Sequence, residues 1–321
     1  MKNLFILSVC LCLSTLAATA QKPEMAKAVV HYKFTHIRDT TAKDKPYTEN
    51  MVLFLGQTAS VYKSYDKKLQ DALMRKQIET QMAEQKGNGG PMNIKVTSNK
   101  PTTRAEFYQF AAEGKLMRKE TLITPYLIVE PIPVINWKIS TDTASFGTLH
   151  CQKATGHFKG RDYTAWFCPD LPFRAGPWKL NGLPGLIVEA YDTNKEVEFK
   201  FDGIEQVVAT DKPVVAAAPP QGPGTTVVRF GSMDDDIDPN LIAIPTNAVK
   251  TTDKEFANLQ AAMKKDPQAF MAAMGGGANM RPGGGAITGS SAFSGDRMVV
   301  NVNSGTSGPV NNNPLELPEK K

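Results

Sequence analysis

Along the first two thirds of the chain, apolar and polar positions alternate in short runs. In Val29-Val30-His31-Tyr32-Lys33-Phe34, the residues Val30, Tyr32 and Phe34 alternate with His31 and Lys33, the period-two signature of a strand with one buried face. The same pattern predicts strands over residues 50–55, 59–65, 105–110, 120–129, 134–140, 148–158, 163–168, 185–191 and 196–201. Ile135, Trp137 and Ile139 would share one face, as would Val197, Phe199 and Phe201. The cluster Asp192-Thr193-Asn194-Lys195 reads as a hairpin turn between the last two strands. Runs of this length, without helix-length patterns between them, argue for a mainly β (α+β) fold. The expected architecture is a curved antiparallel sheet, wrapped as far as a half-barrel.

Two segments depart from that rhythm. Over residues 66–86, Leu69, Leu73, Met74, Ile78 and Met82 recur at helical spacing, and Gly87-Asn88-Gly89-Gly90-Pro91 supplies a stop, so an inserted amphipathic helix is expected. Its methionines read as packing filler rather than as a binding groove. Residues 252–274 predict a second helical region, with Asp253 as its cap, Phe256, Leu259 and Met263 on one face, and Pro267 starting a short further helix. Gly275-Gly276-Gly277 and Gly283-Gly284-Gly285 then mark residues 275–296 as a linker with too little apolar surface to offset its ordering entropy. Residues 213–224 read as another loop, and Val299, Val300 and Val302 as one late strand. The expected organisation is a leader at 1–20, a β-rich body at 21–250 and a helical, Gly/Asn-rich region at 251–321.

The leader is read from Lys2, an apolar run over residues 4–16, and Ala18-Thr19-Ala20, which together predict an export signal cleaved before Gln21. That run is shorter than the ~20 residues a membrane span needs. No later stretch is long and apolar enough, so no transmembrane segment is expected after signal removal, and the protein is placed in the periplasm, at the cell surface or in the medium. Of the four cysteines, the leader takes Cys10 and Cys12. The remaining pair, Cys151 and Cys168, is equidistant from a turn at Lys159-Gly160, which predicts a disulfide across the two strands of a hairpin. Charge changes the picture little: 37 basic residues against 32 acidic ones give +5, too small and too dispersed a surplus for nucleic-acid binding.

The densest run of backbone instructions is Phe158-Lys159-Gly160-Arg161-Asp162-Tyr163-Thr164-Ala165-Trp166-Phe167 followed by Gly176-Pro177-Trp178-Lys179-Leu180-Asn181-Gly182-Leu183-Pro184-Gly185-Leu186-Ile187. Pro177 fits the start of a short helical turn, Gly182 its left-handed end, and Pro184-Gly185 a type II turn before Leu186 opens a strand. None of these side chains is a nucleophile or a general base. The hexapeptide Gly182-Leu183-Pro184-Gly185-Leu186-Ile187 resembles the signature of the GLPGLI family of exported Bacteroidota proteins. Gly160-Arg161, Ala165-Trp166-Phe167 and Gly176-Pro177 are similar to the same pattern, and Asn312-Asn313-Pro314 resembles a recurrent C-terminal ending. The resemblance implies a β-rich periplasmic or surface protein without an assigned biochemical role. The chain is also similar to the N-terminal accessory domain of a type II peptide N-glycosidase, from which no catalytic residue carries over.

Candidate chemistry is sparse. His31 and His36 are an odd number apart and point to opposite faces of an unbroken strand, as do His150 and His157. No zinc-ligand spacing, nucleophile elbow or phosphate loop accompanies them, so no catalytic residue, metal or cofactor is expected. Asp162 with Asp170 or Glu189 is the carboxylate pairing weighed for glycoside hydrolysis. Trp137, Trp166 and Trp178 are the possible ligand face, able to stack on a sugar or close an apolar cavity. The leading expectation is therefore a non-enzymatic binding or accessory module for an apolar or glycan ligand or an outer-membrane protein partner. The alternatives are a glycan- or peptide-directed hydrolase, and a structural companion of an outer-membrane complex with the C-terminal region as docking arm.

Overall fold

A computed structural model describes residues 23–85, 92–97, 101–207, 240–273, 286–287, 298–303 and 310–319. The expected leader, the glycine stop after residue 86, the loop at 213–224 and most of the linker at 275–296 lie outside the described residues.

The chain opens with β1 (Glu24–Met25), β2 (Ala28–His36), β3 (Tyr47–Leu55) and β4 (Ala59–Ser64), then helix α1 (Tyr65–Gln85) and β5 (Met92–Thr97). Next come β6 (Glu106–Phe110), β7 (Lys115–Thr121), β8 (Pro125–Pro131), β9 (Lys138–Phe146), β10 (Leu149–Phe158), β11 (Arg161–Cys168), β12 (Leu186–Asp192) and β13 (Val197–Gln206). The remainder contributes β14 (Leu241–Ile242), β15 (Val249–Thr251), α2 (Asp253–Lys265), α3 (Pro267–Ala273), β16 (Ala286–Ile287) and β17 (Met298–Asn303). Twelve strands form one curved, unclosed sheet in the order β15-β8-β7-β6-β4-β3-β2-β13-β12-β11-β10-β9. Its neighbours are antiparallel except for β15, which runs parallel to β8. The mainly β architecture is thus the one the alternation predicts.

Period two sorts the middle strands onto two faces, and both are filled. Val30, Tyr32 and Phe34 of β2 join Met51, Leu53, Phe199 and Ile187 in the main core, over which Trp178, Leu180 and Leu183 pack. Val29 of the same strand faces a second core with Val52, Phe54, Tyr108, Phe110 and Ile242. Each fully buried large side chain stabilises by about 1.5–3 kcal/mol, so the two layers hold the sheet from both sides. Cys151 and Cys168 are bonded to one another, as expected from their symmetry about the turn.

Four local expectations are corrected. The strand expected over 120–129 is a hairpin of β7 and β8 that turns over residues 122–124, with Thr121 opposite Pro125, a strand-opening residue without an amide donor. The strand expected at 134–140 starts only at Lys138, where pairing with β10 begins at Thr155; Ile135 is buried while Ile139 is half exposed. In α1 the apolar stripe is covered at Ile78, but Leu69 and Leu73 face solvent. Helix α2 is capped by Thr252, whose hydroxyl accepts from the Glu255 amide while the Glu255 carboxylate accepts from the Thr252 amide, a reciprocal capping box. Asp253 is one position inside and pairs with Arg118 instead. Phe256 of α2 packs on Tyr126, ring centroids 5.6 Å apart, so α2 packs against β8, and β15, at 249–251, is the strand beside it in the main sheet.

Candidate functional site

The β10–β11 hairpin turns at Lys159 and Gly160, both with positive φ, 52° and 69°, the type I′ combination that matches strand twist. Gly160 is also required by contact, because a Cβ there would lie 2.8 Å from the carbonyls of Leu317 and Pro318. Residues 310–319 run across this hairpin as a strap. Leu317 donates its amide to the Lys159 carbonyl at 3.0 Å, and Asn312 and Asn313 donate theirs to the Arg38 carbonyl.

Arg161 anchors the strap. Its Nε donates to the Leu315 carbonyl, one Nη to Asp192 at 2.6 Å and to Glu196, and the other to the Asn313 side chain at 2.7 Å and the Pro314 carbonyl. A guanidinium offers five donors, and here all have acceptors, so the buried charge carries no unpaired donor. Asp192 in turn accepts from the amides of Glu196 and Val197 at the hairpin that follows β12. His36 Nε2 donates to the Asn313 carbonyl at 2.8 Å, and burial lowers the His36 pKa to about 4, which keeps its ring neutral. Lys179, also buried, reaches Glu130 at 2.8 Å and Glu316 of the strap at 3.0 Å.

The segment between β11 and β12 folds back onto the main core. Leu180 donates to the Pro177 carbonyl in a tight turn, and the left-handed residues are Trp178, φ 56°, and Gly182, φ 91°. Gly185 is not left-handed, so the type II turn expected at Pro184-Gly185 is absent. Glycine stands there for space: a Cβ would lie 2.3 Å from the Cys168 carbonyl oxygen. Gly176 is held the same way, 2.6 Å from the Leu180 carbonyl, and Leu183, Leu186 and Ile187 are fully buried. The turn presents Trp178 inward, between Phe158 and Phe199.

Beside Trp178 lies a cavity of about 210 Å³, walled by aromatic side chains including Phe34, Tyr62, Phe107 and Phe199 and by Leu315 of the strap. His36, Arg38, Thr103 and Asn311 supply polar groups to its lining. The Arg38 guanidinium lies 3.3 Å above the Tyr47 ring, a cation–π contact. The buried Glu49 accepts four hydrogen bonds, from Tyr47, Ser64 and both the amide and hydroxyl of Thr103. The Tyr62 hydroxyl is buried without a hydrogen-bond partner among the described residues.

Of the three tryptophans singled out in the sequence, only Trp178 lines this cavity. Trp137 packs on Gly156 and donates its indole N–H to the Asn181 carbonyl at 2.7 Å, and Trp166 packs on Phe146. They do not converge on one open face. Arg38, Tyr62 and Phe107 escaped notice in the sequence, because single aromatics on separate strands carry no joint signal. His31 faces Tyr65 and His36 faces Phe34, on opposite sides of β2. His157 sits between Asp162 at 2.6 Å and Glu319 at 2.7 Å on the surface, and His150 is exposed. Among the described residues no three His, Cys, Asp or Glu side chains gather as a metal site.

The carboxylates weighed for hydrolysis do not form a pair. Glu189 lies opposite Trp166, four positions along β11 from Asp162, or roughly 13 Å at about 3.3 Å per residue. Inverting glycosidases hold theirs at about 6.5–9.5 Å and retaining ones closer. Asp170 lies beyond the far end of the same strand.

A family model described as a protein of unknown function (Porph_ging) matches residues 158–189, the stretch running from the hairpin turn through the buried hexapeptide. No curated protein matches the sequence. Two solved structures of PNGF-II, in space groups P21 and C2, align with TM-scores of 0.46 and 0.44 at 9% identity, over 73% and 72% of this chain. This chain spans 32% of the length of each.

Proposed function

We propose that this chain is a non-enzymatic binding module, exported to an oxidising compartment and related to the GLPGLI proteins, that receives one apolar group in the cavity beside Trp178. The aromatic walls of that cavity carry the reading. A dry cavity of about 150 Å³ suffices for benzene, while whole drug-sized ligands need about 300–1,000 Å³. At about 210 Å³ the site matches a single ring or branched aliphatic group. The Cys151–Cys168 bond supports the compartment, since such bonds persist where thiols are not kept reduced. No described helix is long and apolar enough to cross a membrane.

Saturation-transfer NMR of the purified chain with single-ring compounds such as toluene and indole tests this reading. Binding is expected, and Ala105→Phe, which adds a ring to the cavity lining, should remove it. Absence of any transfer at millimolar ligand from a folded sample would overturn the proposal.

A further inference from the structure

The cavity is apolar in its walls, and its one charged lining residue among the described residues is a cation. Arg38 lines it without a carboxylate or any other acceptor for its guanidinium among the described residues, held in place only by the face of Tyr47. Tyr62 adds a buried hydroxyl with no hydrogen-bond partner among the described residues. Glu49, the carboxylate bonded to Tyr47, has two hydrogen bonds on each oxygen, which uses its four lone-pair sites. The neutral His36 already gives its Nε2 proton to Asn313. The site therefore offers the Arg38 cation and, among the described lining residues, no carboxylate, the opposite of what an amine or other cation would need.

Resting on the binding reading above, we infer that the ligand is a small carboxylate with an apolar body, its ring or branched chain between Phe34, Phe107, Trp178 and Phe199 and its carboxylate on Arg38. An arginine fork matches a carboxylate bidentately, and such charge-assisted bonds are roughly twice as strong as neutral ones. The Tyr62 hydroxyl, deeper in the wall, takes a second acceptor where the ligand has one. Two sources present this chemistry, a free aromatic acid and the C-terminal residue of a peptide.

The probes are 3-phenylpropanoate, its alcohol 3-phenylpropan-1-ol, and the dipeptide Gly-Phe with a free or amidated C-terminus, titrated by calorimetry into the purified full chain. The acid should bind at least tenfold more tightly than the alcohol. Arg38→Gln should bring the acid down to the level of the alcohol and leave the alcohol unchanged, with Arg38→Lys intermediate. A preference for Gly-Phe over the acid assigns the peptide source, and the reverse assigns the free acid. Equal binding of acid and alcohol, or an acid affinity untouched by Arg38→Gln, overturns the inference while leaving the apolar cavity reading intact. Binding of neither probe removes both.

Discussion

Arg161 Nη2 donates to Asn313 Oδ1 at 2.7 Å across 152 residues of chain. That bond joins Gly160-Arg161, at the hairpin turn of the matched segment, to the strap that contains Asn312-Asn313-Pro314. Arg161 binds three successive strap residues, so its side chain reads a backbone conformation as much as an amino-acid type.

Replacing Arg161 leaves Asp192 buried without its cation. Arg161→Met is expected to cost about 3–5 kcal/mol in urea unfolding, the range for breaking one side of a buried pair. Because the guanidinium also serves three carbonyl or amide oxygens of the strap, Arg161→Lys should recover only part of that loss. Wild-type stability in the methionine variant would show that the strap is not held by this cluster.

The two glycines of the hexapeptide motif should fail for different reasons. Gly185→Ala brings a Cβ against the Cys168 backbone and is expected to cost about 3 kcal/mol, the upper end for overpacking. Gly182→Ala has room, its Cβ 3.8 Å from Trp137, but keeps φ at 91°, a strain of about 1–2 kcal/mol. Thermal unfolding of the two variants ranks them, and the reverse order would contradict the packing argument.

Acid should loosen the strap through His36. Its folded pKa of about 4 lies below the 6.5 of the unfolded chain, so between those values the unfolded state binds the extra proton. Stability is therefore complete above pH 6.5 and declines as pH falls toward 4. His157 has the opposite sign, its pKa raised by hydrogen bonds to Asp162 and Glu319, so its contribution is present below pH 6.5 and fades as pH rises through its folded pKa. Urea midpoints across pH 4–8 for wild type and His36→Gln separate the two: the acid-side decline should shrink in the variant.

Reduction of Cys151–Cys168 opens a loop of separation 17 and should lower stability by about 3 kcal/mol in the chain-entropy model. Cys151→Ala with Cys168→Ala should reproduce the loss, and insensitivity of the wild type to dithiothreitol in denaturant titrations would contradict it.

Strand positions and the disulfide were legible in local pattern. Alternation in β2 and β13 records which side chains leave water, and the symmetry of Cys151 and Cys168 about Lys159-Gly160 follows from antiparallel pairing alone. The helical stripe of α1 was legible as a helix but not as packing, since nothing in Leu69 and Leu73 states whether a surface stands opposite them.

The cavity and the strap were not legible. Phe34, Tyr62, Phe107, Trp178 and Phe199 come from five segments far apart in sequence, and only sheet order brings them together. The role of Gly185 likewise depends on a backbone seventeen residues upstream in the hairpin pattern, at Cys168, and not on its own φ. Short-range physics, the two-residue period of a pleated strand and the chirality of a tight turn, acts between neighbours and so is written in consecutive residues. Burial of Arg161, neutrality of His36 and the shape of the aromatic cavity depend on distances between strands, which exist only once the sheet has closed its register.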